Sequence, residues 1–152
     1  MWQGTLEKMC DVDCWDMQKW INAIPFEDWP QQERIDKQIR PAMAHGDWHG
    51  FPKIAAPLVD QITDRPKQLN PTLSVVMPGH RIDPHNDTFG PEWICRVHVP
   101  LATNPFACFF IEDKRYRMEV GVAYKVNISR MHHVINYGHT PRIHFMFDVV
   151  GG

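Results

Sequence analysis

Apolar residues in the first part of the chain recur at helical spacing, in segments bounded by prolines. The clearest segment is residues 13–24, where one helical face would carry Met17, Trp20, Ile21 and Ile24. Residues 29–39 predict a second, short helix with a proline in its first turn, and residues 52–62 predict a third despite an internal proline. We therefore expect helices and loops over residues 1–72.

From Leu73 onward, apolar residues come in short runs that are typical of β-strands and are separated by turn residues. The predicted strands are 74–77, 93–99, 107–112, 116–120, 122–126, 133–135 and 142–149. Six or seven short strands with no helix between them favour an antiparallel sandwich or barrel. No repeat or linker divides the chain, so we expect one domain over residues 1–152, with its β core in residues 73–150.

Five of the six tryptophans precede residue 50. We favour the interpretation that they pack the helices onto a neighbouring sheet. An aromatic clamp for a substrate is the alternative.

Composition and charge place the chain among ordinary soluble globular proteins, with 43% hydrophobic and 22% charged residues. Sixteen basic and eighteen acidic residues give a net charge of −2, which argues against a nucleic-acid partner. No apolar run approaches the roughly 20 residues of a membrane span. The first residues also lack the pattern of a signal peptide, so we expect a cytoplasmic protein with no membrane partner.

Four cysteines, at positions 10, 14, 95 and 108, are expected to be free thiols in a reducing compartment. The spacing of Cys10 and Cys14 leaves open a structural zinc site completed by a histidine.

Seven of the nine histidines lie between His80 and His144, which makes this region the place to look for chemistry. In an extended segment, His85 and Asp87 would point to the same side. One imidazole and one carboxylate are two of the three ligands of a facial triad for non-haem Fe(II). The third would be His132 or His133, which point in opposite directions on a strand.

Positively charged residues on two predicted strands suit an anionic ligand. Arg142 lies ten residues after His132 and could bind the distal carboxylate of 2-oxoglutarate, although a surface ion pair is the alternative. Arg96 and His98 alternate on the strand at 93–99, so both would lie on one face, either toward a ligand or toward solvent.

These segments, in this order, resemble a known family. The ordered set is Ser74 to His85, Arg96 to Leu101, Met118 to Gly121, His132 to Asn136 and Arg142 to Asp148. It resembles the aspartyl/asparaginyl β-hydroxylases, which are Fe(II)- and 2-oxoglutarate-dependent oxygenases and to which bacterial hydroxylases of free proline are similar. The resemblance covers residues 74–149, about half of the chain.

The resemblance implies a mainly β fold, the double-stranded β-helix of jelly-roll or cupin-like form, with the N-terminal helices packed on it. It implies His85 and His132 as iron ligands, the latter because the family pattern His-x-Val-x-Asn begins at His132. It implies that Arg142 binds the distal carboxylate of 2-oxoglutarate. Ser74 and His98 would assist that binding, with Arg96 beside them.

Asp87 departs from the mammalian branch of the family, which lacks a carboxylate ligand, and would complete the triad His85, Asp87 and His132. The departure favours an amino acid or another peptide as substrate over the mammalian one. The expected reaction hydroxylates that substrate and converts 2-oxoglutarate and O2 to succinate and CO2. We expect the N-terminal helices and residues 88–92 to line the substrate pocket.

Two other functions use similar ligands. A cupin that binds a metal or a small molecule would also end on His132 and Asn136, but its first motif is typically His-x-His. A zinc hydrolase would need a general-base glutamate, which does not accompany these histidines. Asn136 is also a candidate for orienting the metal-bound imidazole.

Overall fold

The computed structural model describes residues 2–29, 33–35, 38–40, 42–44, 46–63, 68–87 and 90–151. Within these residues there are two α-helices, α1 Trp15–Ala23 and α2 Phe51–Ile62, and short 3₁₀ helices at Phe26–Asp28 and Trp48–Gly50. The strands are β1 Leu6–Asp11, β2 Glu33–Ile35, β3 Gln38–Arg40, β4 Ala42–Ala44, β5 Gln68–Val76, β6 Arg81–His85, β7 Trp93–Ala102, β8 Ala107–Ile111, β9 Lys114–Tyr116, β10 Val122–Val126, β11 His132–Asn136 and β12 Arg142–Val150.

Two antiparallel sheets form the body of the protein. One has six strands in the order β1-β10-β7-β12-β5-β4, and the other has four in the order β6-β11-β8-β9. Apolar residues from both sheets, among them Val76 and Val126 on one and Phe109 and Val134 on the other, share one buried cluster. The sheets therefore enclose a common interior, and the fold is mainly β and cupin-like, as the sequence predicts.

The central strand β12 separates two environments, because its nine residues are all buried. Phe145 and Phe147 lie in an outer apolar cluster with residues of α1 and α2. The alternate residues, which include Arg142 and His144, face the other way, toward the barrel interior. Polar side chains on this inner face are therefore positioned for chemistry rather than for contact with solvent.

The helices predicted over 13–24 and 52–62 are confirmed as α1 and α2. Helix α2 continues through Pro57, which costs about 3 kcal/mol inside a helix. Burial of Phe51, Leu58 and Val59 contributes roughly 1.5–3 kcal/mol for each side chain. The buried apolar face therefore outweighs the break in the hydrogen-bond ladder.

Two sequence predictions about local structure are wrong. Residues 33–35 and 38–40 pair as an antiparallel hairpin, β2 and β3, instead of a helix over 29–39, of which 30–32 and 36–37 lie outside the described residues. Only two aliphatic residues fall in this segment, so a helix would have no apolar face to bury. The strand predicted at 116–120 instead ends at Tyr116, because β9 follows β8 directly through a two-residue turn.

Residues before position 73 also contribute strands that the sequence pattern does not predict. Strand β1 pairs with β10 at one edge of the six-stranded sheet, and β4 pairs with β5 at the other. Helical segments therefore cover this sheet while short strands from the same half of the chain extend it.

Most of the early tryptophans pack as the favoured interpretation predicts. Trp2, Trp20, Trp29 and Trp48 pack against the outer apolar cluster. Trp15 is 65% exposed. The four packed rings help to fix the helical layer on the outside of the barrel, away from its polar interior.

All four cysteines are free, as the sequence predicts. Neither Cys10 nor Cys14 belongs to a group of metal-ligating side chains in the described part of the chain. None of the helices in that part is long and apolar enough to cross a membrane.

Asn136 on β11 links the two sheets. Its fully buried side-chain amide donates to the carbonyl oxygens of Val76 on β5 and of Thr140, both at 2.9 Å, and its Oδ1 accepts from Gly138 N–H at 3.0 Å. Asn136→Ala should lower the free energy of unfolding by about 2–4 kcal/mol, because the carbonyl of the buried Val76 loses this donor and the buried Gly138 N–H loses its acceptor. Urea unfolding measures this loss. The exposed Asn22→Ala should change stability by less than about 0.5 kcal/mol, and a similarly small change for Asn136 would contradict the linking role.

Candidate metal centre

Three side chains meet at the open end of the four-stranded sheet. His85 ends β6, His132 begins β11, and the two are direct cross-strand partners with ring centroids 4.3 Å apart. Asp87 follows two residues after His85. One ligand atom from each of the three lies within 4.8 Å of the others. Of the described residues, only these three form such a group.

Backbone carbonyls set the orientation of both imidazoles. Nδ1 of His85 lies 2.8 Å from the carbonyl oxygen of Asp83, and Nδ1 of His132 lies 2.8 Å from that of Arg130. A carbonyl can only accept, so each Nδ1 carries a hydrogen, and in the neutral ring Nε2 is left with its lone pair. Both Nε2 atoms lie 3.8 Å from Oδ2 of Asp87. The orienting group for His132 is thus the Arg130 carbonyl, and not Asn136, whose amide is engaged between the sheets.

His132 has the charge state that a metal ligand needs. Burial lowers its pKa to about 4, so the ring is neutral at physiological pH. The neighbouring His133 points away and stacks on Phe110, with ring centroids 4.6 Å apart and planes at 7°. The structure therefore brings His132, and not His133, to His85 and Asp87.

The turn at residues 127–130 supports two of the three ligands. Its Ile128 carbonyl accepts the backbone N–H of Asp87 at 2.9 Å, and its Arg130 carbonyl holds His132. Asn127 fixes the turn by donating its side-chain amide to the carbonyls of Trp2 at 3.1 Å and Gly4 at 3.0 Å. Backbone geometry, and not only side-chain packing, thus determines where the ligands lie.

Arg96 lies between two carboxylates. Its Nε and Nη2 donate to the buried Asp148 at 2.8 and 3.1 Å, and its Nη1 is 3.9 Å from Oδ2 of Asp87. Arg96 and Asp148 are register partners on β7 and β12. Arg96 therefore lies beside the three candidate metal ligands. It is held there by Asp148, which the sequence analysis did not identify.

Arg142, by contrast, has a buried charge. Its side chain is 2% exposed, and neither Nη1 nor Nη2 has a hydrogen-bond partner among the described residues. Burial lowers its pKa to about 9, which still leaves the guanidinium cationic at neutral pH. An unpaired buried charge is costly, so an anionic ligand is the natural partner. A surface ion pair, the other interpretation of Arg142, does not fit this burial.

A cavity of about 390 Å³ reaches Arg142. Its walls come from β8, β9, residues 117–120 and the beginning of β12, and include Phe109 and His144. The volume is sufficient for a small organic acid. Arg142 thus lies where a small anion can enter.

Ser74 and His98 complete the polar inner face of the six-stranded sheet. Ser74 is 1% exposed and is the register partner of His144. His98 is 4% exposed, and its Nδ1 lies 3.0 Å from Nδ1 of His144. The sequence analysis assigns no role to His144. The alternation of side chains along the last strand could have indicated one, because it places His144 on the same face as Arg142.

The sequence over residues 42–151 matches the profile of a family described as aspartyl/asparaginyl beta-hydroxylase. The chain belongs to this family. The matched region contains the seven predicted site residues: Ser74, His85, Asp87, Arg96, His98, His132 and Arg142. No curated protein sequence matches the chain significantly.

Several solved structures share the fold of this family member. It is similar to a viral collagen prolyl hydroxylase from Paramecium bursaria Chlorella virus-1, solved as a 2OG complex, with a TM-score of 0.61, 11% identity, and 99% and 98% of the two chains covered. It is similar to a 2OG-Fe(II) oxygenase family protein from Burkholderia pseudomallei, with a TM-score of 0.57, 9% identity, and coverage of 90% and 77%. It is also similar to AviO1 from Streptomyces viridochromogenes, with a TM-score of 0.57, 12% identity, and coverage of 95% of this chain and 90% of AviO1. At these identities the likeness shows a common fold.

Proposed function

We propose that this hydroxylase family member is an Fe(II)- and 2-oxoglutarate-dependent dioxygenase. It would hydroxylate an amino acid or a peptidyl residue and convert 2-oxoglutarate and O2 to succinate and CO2. One observation carries the proposal: two histidines and an aspartate meet at one end of a barrel whose interior also holds a buried guanidinium, and Nη1 and Nη2 of that guanidinium have no partner among the described residues. A metal ion would account for the first group, and an anionic ligand would account for the second.

The ligand group fits ferrous iron. His85 and His132 would each offer a bare Nε2, and Asp87 would offer a carboxylate oxygen, which together are the donors of a facial triad with open positions. Bound iron would supply the oxidising chemistry with O2. The side chains of His85 and Asp87 keep 26% and 35% exposure, so a substrate can approach the centre from that side.

The inner face of the six-stranded sheet fits the co-substrate. The Arg142 guanidinium would bind the distal carboxylate of 2-oxoglutarate through two parallel hydrogen bonds, with Ser74 and His98 beside it. Arg96 is proposed to assist. Because Nε and Nη2 of Arg96 already donate to Asp148, Arg96 would act mainly through its positive charge next to Asp87.

The apolar side chains between the sheets would exclude water from the reaction. Phe109 lies near both His98 and His132, with ring centroids 5.8 and 6.2 Å away, and Ile111 and Val134 are buried beside it. A dry interior strengthens the attraction between Arg142 and a carboxylate. A cupin that only binds metal would leave Arg142 without a ligand, so the oxygenase function is favoured.

Anaerobic reconstitution tests this proposal. The full chain with Fe(II) and 2-oxoglutarate should develop a charge-transfer absorption band, and admission of O2 should release succinate. The same protein loaded with Zn(II) should bind 2-oxoglutarate but release no succinate. If the Fe(II) protein shows neither the band nor any binding of 2-oxoglutarate, the oxygenase function is wrong.

Of residues 88–92, which are expected to line the substrate pocket, 88 and 89 lie outside the described residues.

A further inference from the structure

His144 shares the Arg142 cavity but has no part in the function proposed so far. It is 2% exposed and lines the cavity wall two residues along β12 from Arg142. The two side chains project from the same face of one strand, so a small anion in the cavity lies within reach of both. A buried histidine in this position needs a physical explanation.

The contact between His98 and His144 restricts both rings. Their Nδ1 atoms are 3.0 Å apart, which is a hydrogen-bond distance, and the rings meet edge to face at 85°. A hydrogen bond between two such atoms requires a hydrogen on one and a lone pair on the other. In two neutral rings, the donor then has a bare Nε2 and the acceptor has an Nε2–H. The pair therefore offers a single outward N–H.

Electrostatics keeps both rings neutral. Burial and the positive charge of Arg142 hold the pKa of His98 and of His144 well below the usual range. Arg96 and His132 also lower the pKa of His98. This corner of the barrel therefore offers the positive charge of Arg142 and one histidine N–H donor, which match a carboxylate.

We propose that His144 is a further co-substrate-binding residue, which donates its Nε2–H to the carboxylate that Arg142 binds. This inference rests on the proposed function. His144 is chosen over His98 as the donor because it is the one of the pair that lines the cavity. His98 then donates its Nδ1–H to His144 and acts as a positioning residue that fixes the tautomer of its neighbour.

Nitrogen-15 NMR on the wild-type full chain tests the tautomer directly. In the Zn(II) protein with 2-oxoglutarate, His144 should show a protonated Nε2 and a bare Nδ1, and His98 should show the reverse. Succinate, which keeps the distal carboxylate, should shift the same His144 Nε2–H signal. A complex in which His144 has a bare Nε2 would overturn the proposal, and this measurement needs no substitution.

Binding measurements provide the second arm. His144→Phe keeps a ring but loses the donor, and should raise the Kd for 2-oxoglutarate about 10- to 100-fold, as expected for one hydrogen bond to a charged group. If the Phe variant does not fold, the smaller polar change His144→Asn replaces it in this binding measurement. The same change at the exposed His139, His139→Phe, is the control and should leave Kd unchanged. His98→Phe should leave His144 in a mixture of tautomers.

Different measurements would contradict the proposed function and the role of His144. Wild-type Zn(II) protein that binds no 2-oxoglutarate would refute the proposed function. Wild-type binding that is unchanged in a folded His144 variant would refute the role of His144 alone.

Discussion

His132→Ala should abolish metal binding and activity, whereas the same change one residue along, His133→Ala, should preserve both. His132 points its bare Nε2 toward Asp87 at 3.8 Å, while His133 stacks on Phe110 on the other face of β11. Removing a direct ligand should weaken Mn(II) or Fe(II) binding by more than about 100-fold, because changes to outer-shell residues alone cost 10- to 100-fold. Isothermal titration with Mn(II) measures the affinity, and succinate release measures the activity.

Both variants lose a ring that packs against a neighbouring ring, which makes His133→Ala a matched control. His132→Ala loses one hydrogen bond to the Arg130 carbonyl, worth about 1 kcal/mol, together with the ring contacts to His85 and Phe109. His133→Ala loses a stacked ring pair, worth about 0.5–1.5 kcal/mol. Different metal affinities at similar stability would show that the effect is ligation. Loss of metal in His133→Ala but not in His132→Ala would reverse the assignment.

Arg142→Met should remove 2-oxoglutarate binding while the metal site survives and the fold becomes no less stable. The variant would lose the bidentate hydrogen bonds between the guanidinium and the distal carboxylate. The Kd for 2-oxoglutarate should therefore rise by about 100-fold or more, equivalent to roughly 3 kcal/mol. At the same time the variant removes a buried charge that has no partner among the described residues. Replacing even a buried ion pair with apolar side chains is often neutral or stabilising by about 1–4 kcal/mol, and a buried charge without a partner has no attraction to lose. Titration of 2-oxoglutarate and urea unfolding measure the two effects.

A second variant at this position separates charge from shape, and a surface variant serves as the control. Arg142→Lys keeps the positive charge but lacks the planar fork, so it should recover only part of the affinity. Lys19→Met, an exposed change from cation to methionine on α1, should alter neither affinity nor stability. Weaker Mn(II) binding in Arg142→Met, with 2-oxoglutarate affinity intact, would contradict the separation of the two sites.

The strand pattern of the sequence predicts the inner face of the site well. Period-two alternation over 142–149 places Arg142 and His144 opposite Phe145 and Phe147, and β12 has that arrangement. The separation of two residues between His85 and Asp87 likewise places both side chains together. These predictions succeed because the directions of side chains two residues apart are a local property of the backbone.

Contacts between distant strands could not be predicted in the same way. The bond of Arg96 to Asp148 and that of His98 to His144 join residues 52 and 46 positions apart. They depend on the register between β7 and β12, which is set by the packing of the whole sheet. The helix predicted over 29–39 failed for a related reason, since so few apolar residues leave the choice of structure to tertiary contacts. The edge strand β1 was also not predicted, because its residues are largely exposed and its sequence shows no alternation of apolar and polar positions.

The turn at 127–130 has a practical consequence for preparing the protein. Asn127 bonds to the carbonyls of Trp2, Gly4 and, through its backbone N–H, Thr5, while the next residue, Ile128, holds Asp87. Truncation before residue 6 would withdraw all three acceptors. The choice of where a recombinant chain begins therefore also determines how firmly the turn holds Asp87 and His132.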